Sequence, residues 1–446
     1  MSEVLDFYVQ EAANSLSSIP WLAKYQQQAR SDLERMGFPT RHCEDWKYTV
    51  LDSFAKNRFK CIDVTKSLYV DVSACPLSQS KNQKETVLTT LPFASGESVM
   101  VTVLNGQCLD IEDYSKQLPA GVLIKPLSHM ISEHAALIRP YLNQILQPSH
   151  GFHALNSAML HHGVVIYLPK GVCVDKPIFI RHWQDKPNQA VYQRHLIIAL
   201  PESSATVIEA YSGEEGIGYF TNTVTEVSLA EQAQITHYKL QCEGQQAFHV
   251  GDIRVRQEES SEFFSHSLSL GGCLVRSDLT ISLQEKNACC LLNGIYIADD
   301  NQHIDHHTRV NHAVPECISE QDYKGILKGR SRAVFNGQVH VANGAQKTRA
   351  NQQNKTILLS AEAEIDTKPQ LEIFADDVVC SHGATVGQLD EEAMFYLSSR
   401  GMDEAQVTRY LIQAFIANNM QLVKDATLCD WMLALINEKL RTIDHE

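Results

Sequence analysis

The phrase D-D-V-V-C-S-H-G-A-T-V-G, Asp376 to Gly387, sets a thiol and an imidazole two positions apart. On an extended strand alternate side chains share a face, so Cys380 and His382 project together and Ser381 points the other way. Such a pair can act as nucleophile and base, or bind a thiophilic metal. The structural alternative is that the thiol packs as a small apolar group and the imidazole completes a hydrogen bond. A second set lies in H-I-D-H-H-T-R-V-N-H, with His303, His306, His307 and His312. Read as a strand, it puts His303, Asp305 and His307 on one face and His306 on the opposite one. Two imidazoles and a carboxylate suit zinc or ferrous iron. The same pattern also fits a polar ladder on the outside of stacked strands, with no ligand at all.

Other chemistries find no footing. There is no G-x-x-x-x-G-K-S/T phrase, and G-E-E-G-I-G at Gly213 to Gly218 is no dinucleotide fingerprint opening a helix, so ATP hydrolysis by this chain is not expected. No G-x-S-x-G phrase supports a serine hydrolase. The twelve cysteines form no C-x-x-C pair and no regular framework, which points to free thiols in a reducing compartment. The one adjacent pair, Cys289 and Cys290, would face opposite sides of a strand. A formal charge of -15 argues against binding nucleic acid through its phosphates, and Lys324, Lys328, Arg330 and Arg332 read as a solvated face. The start, M-S-E-V-L-D-F-Y, lacks the cationic and apolar runs of an export signal, and no apolar run approaches the roughly 20 residues that span a bilayer. A cytoplasmic protein without membrane contact is expected.

The elements that must carry these residues change character along the chain. Up to about residue 90 the pattern is largely helical: Trp21, Tyr25, Ala29, Leu33 and Met36 recur at three- and four-residue steps, and Gly37 with Pro39 is a stop signal. Trp46 and Tyr48 are candidates to anchor this unit against the next. From Asp71 to Glu97 the composition turns polar and reads as a linker. After Val99 strand and turn phrases take over, with partly helical character from Leu123 to Leu160. From Arg194 a polar phrase ending in a small residue recurs at Ala205, Ala233, Ser261 and Ala288, 28, 28 and 27 residues apart, with strand-like runs on both sides. A repeat of this length without helical period buries its apolar face by stacking on its neighbours, and a β-helix fits better than a propeller, whose blades need about 40 residues. From Asp390 three short helices are expected, the first closed by Arg400 and Gly401 and the second capped by Asp403. The domains are drawn at 1–95 (helical, with linker), 96–389 (β-helix core) and 390–446 (C-terminal helical).

Four phrases resemble the SufB/SufD family, and within it the SufD subunits of the SufBCD iron-sulfur cluster assembly complex. They are R-H-C-E-D-W-K-Y-T (Arg41 to Thr49), the His303 to His312 phrase, Y-K-G-I-L-K-G-R-S-R-A-V-F-N-G (Tyr323 to Gly337), and the long stretch from Asp366 to Gly401 that contains Cys380 and His382. The resemblance implies a mainly β protein, a right-handed parallel β-helix between N- and C-terminal helical domains. It further implies a non-catalytic scaffold that pairs with a SufB-like subunit through the β-helix and docks a SufC-like ATPase through its C-terminal helices, or pairs with itself when isolated. The implied cofactor is a transient iron-sulfur cluster at the subunit seam, with Cys380 and His382 contributing to it and nothing tightly bound to the isolated chain. None of Cys242, Cys273, Cys289 and Cys290 falls in a matching phrase, so no sulfur-relay cysteine is assigned. The alternatives are a β-helix polysaccharide lyase or esterase, and a structural subunit without a ligand.

Overall fold

The computed structural model describes residues 2–61, 90–109 and 118–444. Most of the linker expected between Asp71 and Glu97 lies outside the described residues. Helices α1 (Ser2–Asn14) and α2 (Pro20–Met36) open the chain. Proline at the first position of α2 costs no hydrogen bond, and Gly37 stops it in a left-handed conformation, φ 64°. Leu22, Gln26, Ala29 and Leu33 form its buried stripe, while Trp21 and Tyr25 are half-buried at its margin. The helical expectation fails from Gly37 to Phe59 apart from two single 3-10 turns, Glu44–Trp46 and Phe54–Lys56, and its remainder, residues 62–89, lies outside the described residues. From Phe38 to Phe59 the chain runs in turns, because here aromatic packing rather than helical period sets the path. Phe38, Trp46, Phe54 and Phe59 are buried in one cluster with Phe152 and Phe220. Trp46 is thus an anchor as expected, whereas Tyr48 remains exposed.

The body of the molecule is a parallel β-helix built from two ten-stranded sheets. Strands alternate between the sheets, and each pairs in parallel register with the strand one coil away, as in Gln234 with Ser204 and with Glu262. One corner explains the repeat. Ser203, Ala233, Ser261, Ala288, Cys317 and Thr348 stack there with no exposed surface. The carbonyl of each accepts the N–H that opens the next strand, at 2.8–3.1 Å. The residues just before them, Glu202, Gln232, Ser260, Asn287, Glu316 and Lys347, all have φ between 55 and 66°. A left-handed residue turns the chain, and only a small side chain fits the inside of that turn. Of the four positions read from the sequence, three lie on this ladder. Ala205 does not. In S-S-A the small residues are interchangeable by type, and the member in register is Ser203.

Alternation within each strand then fixes two faces. Inward residues such as Val207, Ile235 and Phe263 from one sheet and Val227, Val255 and Ile281 from the other form the apolar interior. Outward residues of the first sheet, including Ile208, Leu240 and Leu268, lie under helices α7 (Glu404–Met420) and α8 (Ala426–Asp444). The outer face of the other sheet is covered by α1, α2 and the short helices α3 (Leu127–Glu133), α4 (Ala135–Ile138) and α5 (Gly151–Ala158). Helix α6 (Glu391–Ser398), capped by Asp390, leads from the last strand into α7, which Asp403 and Gln406 start with a reciprocal capping box, as expected of Asp403.

The two ends of the stack differ. At the start, the short strands Gln107–Cys108 and Leu123–Pro126 add to the sheets antiparallel. At the finish, Glu364–Ile373 and Val379–Gly387 are the outermost strands of the two sheets.

Candidate functional site

Strand Val379–Gly387 pairs on one side with Arg349–Leu358, and among the described residues its other edge is unpaired. Ala350 stands beside Cys380 and Gln352 beside His382. Ala350, Gln352, Asn354 and Thr356 are buried and point into the solenoid, where Asn354 and Thr356 meet the Tyr296 hydroxyl at 3.0 Å. Cys380 and His382 therefore occupy inward positions of a coil that nothing covers among the described residues. His382 is exposed, and Cys380 is half-buried against Val339, Val341, Ala345 and Ala350. Ser381 points the other way and donates to Asn351 Oδ1 at 2.9 Å. Around this end the apolar side chains of Phe374, 61% exposed, and Val379, 72% exposed, face solvent.

The electrostatics of the thiol follow from its place. Partial burial pushes the Cys380 thiol above its ordinary value, and the backbone hydrogen bond at Ala350 only partly offsets this. In the isolated chain it is a protonated thiol at neutral pH. A soft metal ion would remove that proton on binding, because coordination outweighs modest desolvation.

The histidine phrase forms strand His303–His312, and the expected division of faces holds there. His306 points inward, between the rings of Tyr296 and Tyr323, and burial pushes it down to about 3. His307 Nε2 meets Asp305 Oδ1 at 3.1 Å on the outer side. Asp305 also accepts from Arg276 at 2.5 Å and from the Thr49 hydroxyl. Burial alone would raise the Asp305 carboxyl, but Arg276 and His307 hold it well below the usual carboxylate range. His303 Nε2 is buried without a hydrogen-bond partner. Arg276, stacked 4.5 Å from the Trp46 ring, already supplies the positive charge that a cation would bring to Asp305.

That outer side is the wall of a cleft of about 480 Å³. All four sequence phrases reach it: Glu44, Asp45 and Trp46 from the first, His307, Thr308 and Arg309 from the second, Asn336 from the third, and Lys368, Gln370 and Glu372 from the fourth. An ion pair between Lys368 and Glu44 ties the first phrase to the last.

A further set escaped the sequence reading. One edge of the solenoid interior is polar and fully buried. Glu209 there accepts from Tyr211 at 2.6 Å and Thr225 at 2.8 Å, and meets His237 at 3.1 Å. Glu243 is paired with His249 at 2.7 Å, and Lys239 donates to Ser277 at 3.2 Å. Burial pushes both carboxyls up, yet the histidines and hydroxyls around them outweigh it and hold them down. The available signal was the phase of each strand: in A-T-V-I-E-A-Y the polar Glu209 falls on the same alternation as Val207.

The comparisons with known proteins agree in one direction. Residues 182–415 match the family model described as "SUF system FeS cluster assembly, SufBD core domain", and residues 2–180 match "SufBD protein N-terminal region". The chain is 30% identical over 428 residues to the iron-sulfur cluster assembly protein SufD of Escherichia coli, covering 93% of this chain and 92% of that protein. It is 27% identical over 419 residues to a SufBD family iron-sulfur cluster assembly protein of Synechocystis, covering 91% and 88%. It is also 27% identical over 301 residues to the iron-sulfur cluster assembly protein SufB of Bacillus subtilis, covering 66% of this chain and 64% of that protein.

Proposed function

This chain belongs to the SufBD family of iron-sulfur cluster assembly proteins, and from that premise we propose that it serves as a non-catalytic scaffold subunit whose open terminal coil pairs with a SufB-like partner. The observation that carries the reading is the asymmetry of the stack. One end finishes on short antiparallel strands, and the other on two strands of ten and nine residues, each with an unpaired edge among the described residues and with exposed Phe374 and Val379 beside them. Exposed edges invite pairing with another chain, and proteins ordinarily blunt them with charge, proline or a covering loop. A sister solenoid placed there would enclose Cys380 and His382 in the seam. Thiolate and imidazole together suit a nascent iron-sulfur cluster, which is cargo passed on rather than a resident group.

The C-terminal helices support a second contact, with a SufC-like ATPase. Helix α7 is held to the sheet through Lys324 Nζ to Phe415 O at 2.6 Å and Asn419 to Asp322 O at 2.9 Å, and α8 to the solenoid through Lys439 Nζ to Gln302 Oε1 at 2.9 Å. Helix α6 buries nothing, and Phe395, Tyr396 and Tyr410 project into solvent. Aromatic side chains exposed at a surface are typical anchors of a protein interface. Because α6 follows directly on the strand that carries Cys380, movement of the ATPase would be passed to the seam and would open it to iron and sulfur. Family membership removes the support for a polysaccharide lyase or esterase. Among the described residues no helix is long and apolar enough to cross a membrane.

One experiment tests the reading at both levels. The chain carrying Cys380→Ala and His382→Ala, produced in cells that depend on this route, should still co-purify with its SufB-like and SufC-like neighbours yet fail to mature cluster enzymes. Normal maturation by the double variant would remove these residues from the function, and absence of any complex with the parent chain would remove the scaffold reading.

A further inference from the structure

His150 lines the floor of the cleft and His153 lies directly behind it, and the fold leaves both incompletely bonded. His150 caps α5, and His153 lies three residues on, within its first turn; their rings stack with centroids 3.6 Å apart. Opposite them, Asp252 and Asp278 are register partners on adjacent strands Phe248–Gln257 and Leu274–Leu283. Each carboxylate is held by an arginine of its own strand. Arg254 donates to both oxygens of Asp252 at 2.7–2.9 Å, whereas Arg276 Nε takes only Oδ1 of Asp278, at 2.6 Å. Oδ2 of Asp278 is left facing His150 Nε2 across 3.8 Å, beyond hydrogen-bond length.

His150 is nine-tenths buried, and neither of its ring nitrogens has a hydrogen-bond partner among the described residues. A buried imidazole in that state forgoes an interaction worth about 1–3 kcal/mol, so it calls for an explanation. His153 Nε2 lies 2.5 Å from Asp252 Oδ2 without the geometry of a hydrogen bond. Its Nδ1 accepts from the Ser149 backbone N–H and meets the Ser149 hydroxyl, each at 3.3 Å. Burial pushes His150 down to about 3, which keeps its ring neutral and a lone pair free at physiological pH. The ligand atoms of His150, His153 and Asp278 all lie within 4.8 Å of one another.

We propose that this floor binds a divalent transition metal through Nε2 of His150, Nε2 of His153 and Oδ2 of Asp278, with the cleft side open to a further ligand. Two imidazoles and one carboxylate form a donor set suited to zinc and to ferrous iron. The surroundings supply the orienting contacts such a site needs. Metal binding would move the His153 ring proton from Nε2, where it faces Asp252 Oδ2, to Nδ1, where the Ser149 hydroxyl accepts it in place of the contact that the Ser149 N–H donates there, and Arg276 holds Asp278 by the oxygen the metal does not use. Sequence reading passed over these residues because the ligands are split between a loop-capped helix and a distant strand. H-G-F-H places its two histidines on one helical face, and Asp278 is added by the coil alone.

Cobalt(II) titrated anaerobically into the purified full chain is the probe, since its visible bands distinguish nitrogen and oxygen ligands from thiolate. One ion per chain should bind with no thiolate charge-transfer band, and zinc should displace it. His150→Gln should weaken binding at least about tenfold while leaving the melting temperature unchanged, because His150 contributes no hydrogen bond to the fold. Asp278→Asn should weaken it as well, and should that variant lose stability along with its Arg276 contact, His150→Gln alone carries the test. The Cys380→Ala, His382→Ala double variant should bind as the parent does, which separates this site from the terminal seam. No saturable cobalt binding by the parent, binding with thiolate bands only, or equal affinity in His150→Gln would overturn the proposal.

Discussion

At the scale of single residues, the buried histidines dictate how the protein responds to acid. Burial holds His150, His266 and His306 down to about 3 in the folded chain, against about 6.5 when unfolded. Between those values the unfolded chain takes up protons that the folded chain refuses. Stability from this source is complete above about pH 6.5 and falls as pH drops toward 3, by roughly 1 kcal/mol per unit for each histidine. The buried carboxylates act later. Burial raises Asp252, but Arg254 and His153 bring it down to about 2, so its contribution is present above the unfolded value near 4 and is lost as pH falls from there toward 2. The urea midpoint should therefore decline between pH 7 and 5, above the range in which the Asp252 contribution is lost. His306→Leu, which replaces an imidazole wedged between Tyr296 and Tyr323, should shrink that decline. An unchanged slope in this variant would mean that His306 is protonated inside the fold.

At the scale of elements, the corner ladder sets the tolerance of each coil. Ala288 is fully buried beside Asn287, whose φ is 59°. Ala288→Leu should cost about 1–3 kcal/mol through overpacking, and Asn287→Val about 1–2 kcal/mol through its left-handed backbone. Asn287→Gly should leave the melting temperature nearly as it was. Thermal unfolding followed by circular dichroism checks all three. The same ladder shows why the repeat was legible: a polar turn closed by a small residue recurs wherever the coil must fold inward, and the period then excluded helices. It also shows where legibility ends. Coils differ in length, as Gln234 pairing with both Ser204 and Glu262 makes plain, so one S-S-A phrase misplaced the register by two residues. The shared faces of Cys380 with His382, and of Asp305 with His307, followed from strand alternation alone. The cleft did not, because Glu44, Arg276 and Lys368 are far apart in the chain and meet only once the coils stack.

At the scale of the whole molecule, the open coil predicts that the isolated chain associates with itself. Two copies meeting at Val379–Gly387 would each supply the unpaired edge the other lacks. Sedimentation equilibrium of the purified chain should show a dimer, and Phe374→Lys with Val379→Lys should shift it to monomer, since charge on an exposed edge discourages pairing. A double variant that sediments as the parent does would place the contact elsewhere. The antiparallel strands at the far end carry a different consequence. A solenoid bare at both tips could add units without limit and grow into a fibre. Because the two tips differ in strand direction and length, a pair joined through the Val379–Gly387 tips would present only short antiparallel strands outward, which predicts a complex of fixed stoichiometry rather than a fibre.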